Sequence, residues 1–211
     1  QRVDSAEEAV SLLVEHGDEA KLLAGGHSLI PLMKYRLAAP GVVVDVGRIK
    51  DLSYVRDEDS CLVIGALTRH RDIEINELVR EHAGLLGEAT HHVGDPQVRH
   101  RGTIGGALAH GDPASDIPSA LIALRGVVVV QGPSGTREIN ADDFFTGFLE
   151  TALGVDEMLV EIRIPKISGA SWSFQKFNRR AQDWAIVGVS VLISESACGV
   201  GLVNMDSRPV R

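Results

Sequence analysis

The chain has 211 residues, 44% of them hydrophobic, enough for one core of ordinary size or for one domain and part of another. Its formal net charge is −8, with 21 basic against 29 acidic residues, so the basic face that a nucleic-acid partner requires is not expected. No apolar run approaches the roughly 18 residues of a membrane span, and no signal peptide opens the chain. The two cysteines, Cys61 and Cys198, are far apart, which argues against a disulfide framework and a cysteine-ligated cluster. The expectation is a soluble protein of the cytoplasm with no nucleic-acid partner.

In chain order, Ser5-Ala6-Glu7-Glu8 is a capping box opening an amphipathic helix through Val10, Leu13 and Val14 that ends near Gly17. Residues 21–24 form a short buried-strand pattern leading into Ala24-Gly25-Gly26-His27-Ser28-Leu29-Ile30-Pro31. Pro31 limits residues 30–36 to a short helix. The β-branched run at 42–46 predicts a strand buried on both faces, and 62–66 predicts another. Residues 75–90 read as one helix, weakened by Gly84 and Gly87.

A second diglycine, about eighty residues after the first, lies in Gly102-Thr103-Ile104-Gly105-Gly106-Ala107. The chain then runs through His110-Gly111-Asp112-Pro113-Ala114-Ser115-Asp116, where Asp116 is placed to cap a helix carrying Ile117, Ala120, Leu121 and Leu124. Residues 127–131 and 136–140 around Gly132-Pro133-Ser134-Gly135 predict a hairpin, and 158–164 a strand closed by Pro165. The composition shifts at 165–171, so a boundary is expected near 168, followed by strands at 172–177, 185–193 and 200–205. Strands and helices without regular βαβ alternation predict an α+β fold. Both ends read as cut: no initiator Met is present and Gln1-Arg2-Val3 reads as the end of a strand or linker, while the strand at 200–205 stops shortly before Arg211 without a closing element.

Paired glycines allow a backbone to approach a ligand closely, and successive N–H groups in such a turn form an anion-binding concavity. Open N–H groups are expected at residues 25–29, with Ser28 as a side-chain donor, and again at Gly105-Gly106, with Thr103. Two such turns suggest a ligand with two phosphates, hence a dinucleotide. Asp116 suits a ribose hydroxyl, because a carboxylate accepts the hydrogen bonds a hydroxyl donates; a helix cap is the plainer role, and both can hold. His91, His92, His110, Asp112 and Asp116 could be read as a metal set, but Pro113 keeps the segment extended and off a single helical face. Arg99, His100 and Arg101 either add positive charge for a pyrophosphate or are ordinary surface cations. Trp172, Phe174 and Phe177 read as core in preference to a flavin stack. No nucleophile elbow, Walker loop or zinc-protease motif is present, which leaves the chemistry to a cofactor.

The ordered set of segments resembles the flavin-binding medium subunit of the molybdenum hydroxylases, the aerobic carbon-monoxide-dehydrogenase type being the closest branch and the flavin domain of xanthine dehydrogenase a relation. The resemblance is carried by residues 24–34, by Gly94-Asp95-Pro96-Gln97-Val98-Arg99 leading into residues 102–106, by Asp112-Pro113-Ala114-Ser115-Asp116, by Glu161-Ile162-Arg163-Ile164-Pro165 and by residues 176–183. It implies a vanillyl-alcohol-oxidase-type FAD-binding domain at 1–167 and the start of a small C-terminal α+β domain, incomplete here, at 168–211. It implies that Ala24, Gly25, Gly26, His27, Ser28, Leu29 and Ile30, with Thr103, Ile104, Gly105, Gly106 and Ala107, cradle the FAD pyrophosphate. Ser115 and Asp116 would contact the nucleotide half, His110, Leu159 and Lys176 would border FAD, and Val93 and Ile30 would lie near the isoalloxazine. Ala107 departs from the Asn or Ser frequent in relatives; little changes if the contact there is a backbone N–H, whereas a lost side-chain hydrogen bond would weaken binding by about 1 kcal/mol.

The resemblance further implies an electron-transfer subunit that takes electrons from a small subunit with two [2Fe–2S] clusters and passes them to an external acceptor. Substrate oxidation would occur on a molybdopterin-containing large subunit, in a dimer of heterotrimers. No catalytic side chain and no metal ligand is expected in this chain, and neither the substrate nor the acceptor is legible in it. The alternatives are a scaffold subunit that has lost flavin and a metal-dependent hydrolase using His110, Asp112 and Asp116.

Overall fold

The computed structural model describes residues 1–211, which form four β-sheets with helices between them. Helix α1 (Ala6–His16) is capped by Ser5, whose side chain accepts the Glu8 N–H, while the Glu8 carboxylate accepts the Asp4 N–H. Ala6, Ala9, Val10 and Leu13 are its buried residues. Strand β1 (Ala20–Leu23) pairs in parallel with β2 (Val42–Asp45), and α2 (Leu29–Lys34) lies on the connection. Val44 and Val46 are fully buried, but Val42 and Val43 are half-exposed, because β2 belongs to a two-stranded sheet rather than to the interior of a larger one.

After β3 (Val55–Asp57), β4 (Cys61–Gly65) and α3 (His70–Ile75), the stretch 75–90 expected to be one helix is two, α4 (Glu77–His82) and α5 (Gly84–His91), set off from α3 at Asn76. Asn76 makes the first break. Its side chain accepts the N–H groups of Leu78 and Val79 and so starts a new helix, the competition with backbone bonding that suits Asn to caps. Ala83, with extended φ, makes the second. Then follow α6 (Pro96–Arg99), α7 (Ile104–His110) and α8 (Asp116–Ala123), where Ser115 occupies the cap position and Asp116 is the first helical residue. The remaining elements are β5 (Val127–Gly132), β6 (Gly135–Asn140), α9 (Ala141–Phe144), β7 (Phe145–Gly147), β8 (Glu150–Thr151), β9 (Met158–Pro165), β10 (Ser171–Phe177), β11 (Val187–Ile193) and β12 (Cys198–Val203).

The central sheet is antiparallel in the order β3-β4-β9-β5-β6. Strand alternation sends Leu62, Ile64, Val128, Val130, Ile162 and Ile164 to the larger core, shared with the helices. Val129, Met158 and Val160 face a smaller core built with α1 and β2. A bulge between Val129 and Val130 shifts the β5–β9 register, so Leu159 joins Ile162 in the larger core although the two are three residues apart.

The sheet β10-β11-β12 lies on α8. Phe174, Leu192 and Val203 belong to the larger core, and the buried hydroxyls of Ser119 and Ser190 bond at 2.8 Å. Gly199 and Gly201 approach the carbonyl oxygens of Ala123 and Ser119 too closely to admit a Cβ. No helix is long and apolar enough to cross a membrane.

Candidate cofactor site

Strand β1 delivers the first diglycine. Gly26 has φ +79°, a conformation natural to glycine, and a Cβ there would stand 2.6 Å from the Ile30 side chain. The backbone N–H groups of Gly25, Gly26, His27, Ser28 and Leu29 donate to no acceptor in the chain, and the Ser28 hydroxyl caps nothing. The four other than His27 are half-buried. Unpaired peptide donors at partly buried positions carry a desolvation cost unless something else accepts from them. Consecutive open donors of this kind are the makings of an anion site.

The second diglycine departs from expectation. Its N–H groups are already engaged: Ile104 donates to the Thr68 carbonyl (3.1 Å), Gly105 to Ala66 (2.8 Å), Gly106 to Thr103 Oγ1 (3.3 Å) and Ala107 to the Thr103 carbonyl (3.0 Å). The reason is a neighbouring segment, residues 66–70, which pairs antiparallel with this turn through Arg69 and Thr103. Gly105 is buried, and a Cβ on it would lie 2.7 Å from that of Ala66, so its smallness serves packing. Gly106 differs from its neighbour, being exposed. A Cβ on it would sit 3.9 Å from the Ala24 Cβ, and one on Gly25 would overlap the Arg101 carbonyl oxygen. The two turns therefore touch, with open donors on the first and the bare face of Gly106 beside it.

A second group forms around Asp116. Its Oδ2 lies 2.8 Å from Lys176 Nζ, both side chains are buried, and Lys176 also donates to the His92 carbonyl at 3.0 Å. Asp116 Oδ1 is buried without a partner. Burial pushes the carboxyl up to about 6, with Lys176 opposing the rise. Ser115 is half-buried beside it, and His110, half-buried, ends α7 just before Gly111 turns with φ +63°. Leu159 lies in the core at 5% exposure, and Val93 is half-buried with its carbonyl accepting from Arg99 Nη1 at 3.1 Å.

Arg99, whose role the sequence left open, is buried and bonds Glu74 at 3.0 Å, so it ties α6 to α3 instead of facing a phosphate. The histidines and carboxylates form no group of three placed to hold a metal ion. Asp112 accepts the Ala114 N–H at 2.8 Å and Asp116 is engaged by Lys176. Sequence reasoning overlooked His70, 4% exposed, which lies beneath Gly102 and which burial holds down at about 4. It overlooked Glu74 as well, which gathers Arg71, Arg99 and His91. Apart from Arg71, their partners are distant in sequence, which is why neither residue stood out.

A family described as the FAD binding domain in molybdopterin dehydrogenase matches residues 1–167. The chain belongs to this family. It is 46% identical over 202 residues to the carbon monoxide dehydrogenase medium chain of Hydrogenophaga pseudoflava, covering 95% of this chain and 70% of that one. It is 40% identical over 192 residues to the glyceraldehyde dehydrogenase medium chain of Sulfolobus acidocaldarius, covering 91% and 68%. A solved structure of the Hydrogenophaga pseudoflava carbon monoxide dehydrogenase superposes with a TM-score of 0.96 at 42% identity, over 100% of this chain and 76% of that one. The molecule is thus an α+β FAD-binding oxidoreductase subunit of the molybdenum hydroxylase family, of the medium-subunit type. FAD is its cofactor, and a turn with five open N–H groups and a positive-φ glycine fits a pyrophosphate.

Proposed function

We propose that the chain is the electron-transfer subunit of a molybdenum hydroxylase complex, holding FAD between the two glycine turns. The N–H groups of residues 25–29 bind the pyrophosphate, with Ala24 and Ile30 flanking them. Thr103, Ile104, Gly105, Gly106 and Ala107 support this loop and leave space for the cofactor at Gly106. Because the Ala107 N–H is tied into α7, that position offers the cofactor no backbone donor. Ser115 and Asp116 face the nucleotide half, where Asp116 Oδ1 has an unused acceptor, and Lys176, paired with Asp116, borders the cofactor. His110 and Leu159 border the cofactor, and Val93 and Ile30 lie near the isoalloxazine. Bound FAD supplies reversible two-electron chemistry; the protein binds it, orients it and tunes it by nearby dipoles.

In this proposal electrons arrive from a [2Fe–2S] partner, substrate is oxidised on a molybdopterin partner, and the assembly is a dimer of heterotrimers in the cytoplasm. Residues 1–167 form the FAD-binding domain and 168–211 belong to a second. Relatives named for carbon monoxide and for glyceraldehyde match this chain at 46% and 40% identity, which suits a subunit that does not select substrate. The observation that carries the reading is the run of unpaired donors at 25–29.

The test is to add FAD to the purified full chain and record the visible spectrum with and without dithionite. Flavin bands that bleach on reduction, and are lost in Gly106→Val, support the reading. A protein that stays colourless even with its cluster-bearing partner present defeats it.

A further inference from the structure

The connection between β4 and α3 clasps the second glycine turn. Three of its bonds are backbone to backbone: Ile104 N–H to Thr68, Gly105 N–H to Ala66, and His70 N–H to Gly102 at 3.0 Å. The fourth is made by a side chain, Arg69 Nη1 donating to the Arg101 carbonyl at 2.7 Å. That same carbonyl oxygen lies against Gly25, where a Cβ would overlap it and would stand 2.9 Å from the Gly102 Cα. Gly25 is the first of the five residues with open N–H groups. Beneath the turn the His70 ring fills the space a Cβ on Gly102 would take, at 2.6 Å. Arg69 is half-buried, and its one side-chain bond inside the chain is to this carbonyl.

We propose that Arg69 is a positioning residue for the flavin cradle. By holding the Arg101 carbonyl against Gly25, it sets where the N–H groups of residues 25–29 stand. A guanidinium is well suited to such a role, because a charged donor bonds a carbonyl more strongly than a neutral one. The inference rests on the reading of that turn as the pyrophosphate site.

The experiment uses the full chain freed of cofactor, with FAD affinity followed by quenching of flavin fluorescence, the environment of bound flavin by visible circular dichroism, and apo stability by thermal melting. The variants are Arg69→Met, Arg69→Lys, Gly25→Ala, the pair Arg69→Met with Gly25→Ala, and Gly106→Val. Arg69→Met is expected to weaken FAD about tenfold, equivalent to about 1.4 kcal/mol, with an altered dichroism band and an unchanged apo melting temperature. Arg69→Lys recovers most of the affinity, since an ammonium can still donate to one carbonyl. Gly25→Ala and Arg69→Met combine with less than additive effect, because both act through the same oxygen.

Wild-type affinity in Arg69→Met alongside loss of FAD in Gly106→Val overturns the positioning role and leaves the cradle standing. Wild-type affinity in both overturns the cradle itself. A fall in apo melting temperature that Arg69→Lys does not repair reduces Arg69 to a fold-stabilising contact and also overturns the proposal.

Discussion

Lys176 Nζ and Asp116 Oδ2 meet at 2.8 Å with side chains 4% and 5% exposed, joining β10 to the first turn of α8 across 60 residues of sequence. Removing one member of such a pair strands the other charge in the interior. Lys176→Met is expected to destabilise the chain by about 3–5 kcal/mol, whereas replacing both by apolar residues of similar volume recovers most of the loss. Urea unfolding of the two variants checks this, and equal loss in both would show that packing, not charge, dominates there.

The same carboxylate predicts a pH dependence. Burial raises Asp116 from 3.8 to about 6 in the folded state. A raised carboxyl favours the folded state fully below its unfolded value, and that contribution disappears as pH rises through the folded one. Between about pH 3 and pH 7 this group should therefore lower apo stability by about 3 kcal/mol, on the scale of 1.36 kcal/mol per unit. In denaturant titrations, the stability of wild type relative to Asp116→Asn should improve as pH falls across that window. A pH-independent difference between the two would show that the carboxyl keeps an ordinary affinity for its proton.

Much of the architecture was legible because its signals are local. Val127–Gly132 and Gly135–Asn140 were readable as a hairpin from their β-branched and turn residues, and the two diglycines stood out by composition. The open donors at 25–29 followed from strand, glycines and a proline-limited helix. What failed depended on distant partners. Nothing near Gly105 signals that Ala66 accepts its N–H, so a turn read as donor-rich is donor-poor. Asp116 was singled out by its chemistry and Lys176 by resemblance, but their pairing across 60 residues arises from tertiary packing that no local signal announces. The break at Asn76 had a local signal, a capping residue ahead of Glu77-Leu78-Val79, that the helical periodicity of 75–90 obscured. Short strands such as β3 and β8 are too brief to show any period.

Glycines with the same letter should answer differently to alanine. Gly201 lies under the Ser119 carbonyl with no space for a methyl, so Gly201→Ala must push β12 from α8 and should cost about 1–3 kcal/mol. Gly87 sits inside α5, where a Cβ would meet only the Val79 side chain at an ordinary 3.5 Å. Gly87→Ala should therefore stabilise by about 0.5–1 kcal/mol through helix propensity. Thermal melts of both variants decide this, and a shift of the same sign in each would contradict the packing described.

The adjacent pair Gly105 and Gly106 gives a sharper contrast, because the two face opposite ways. Gly105 is buried against Ala66, with the Ala66 Cβ and carbonyl oxygen each 2.7 Å from a Cβ placed on it, so Gly105→Ala has to displace β4 or α7. That should lower apo stability by about 1–3 kcal/mol. Gly106 is exposed, and a Cβ there presses only on Thr103 Oγ1 at 2.9 Å, a hydroxyl that caps α7 and can rotate. Its alanine variant should change apo stability by less than about 1 kcal/mol, the helix gain offsetting part of the weakened cap. The same variant should bind FAD more weakly than wild type, since the added methyl stands in the crevice beside Ala24. Unfolding curves paired with flavin titrations separate the two residues, and a Gly106→Ala protein that binds FAD as wild type would place the cofactor away from this turn.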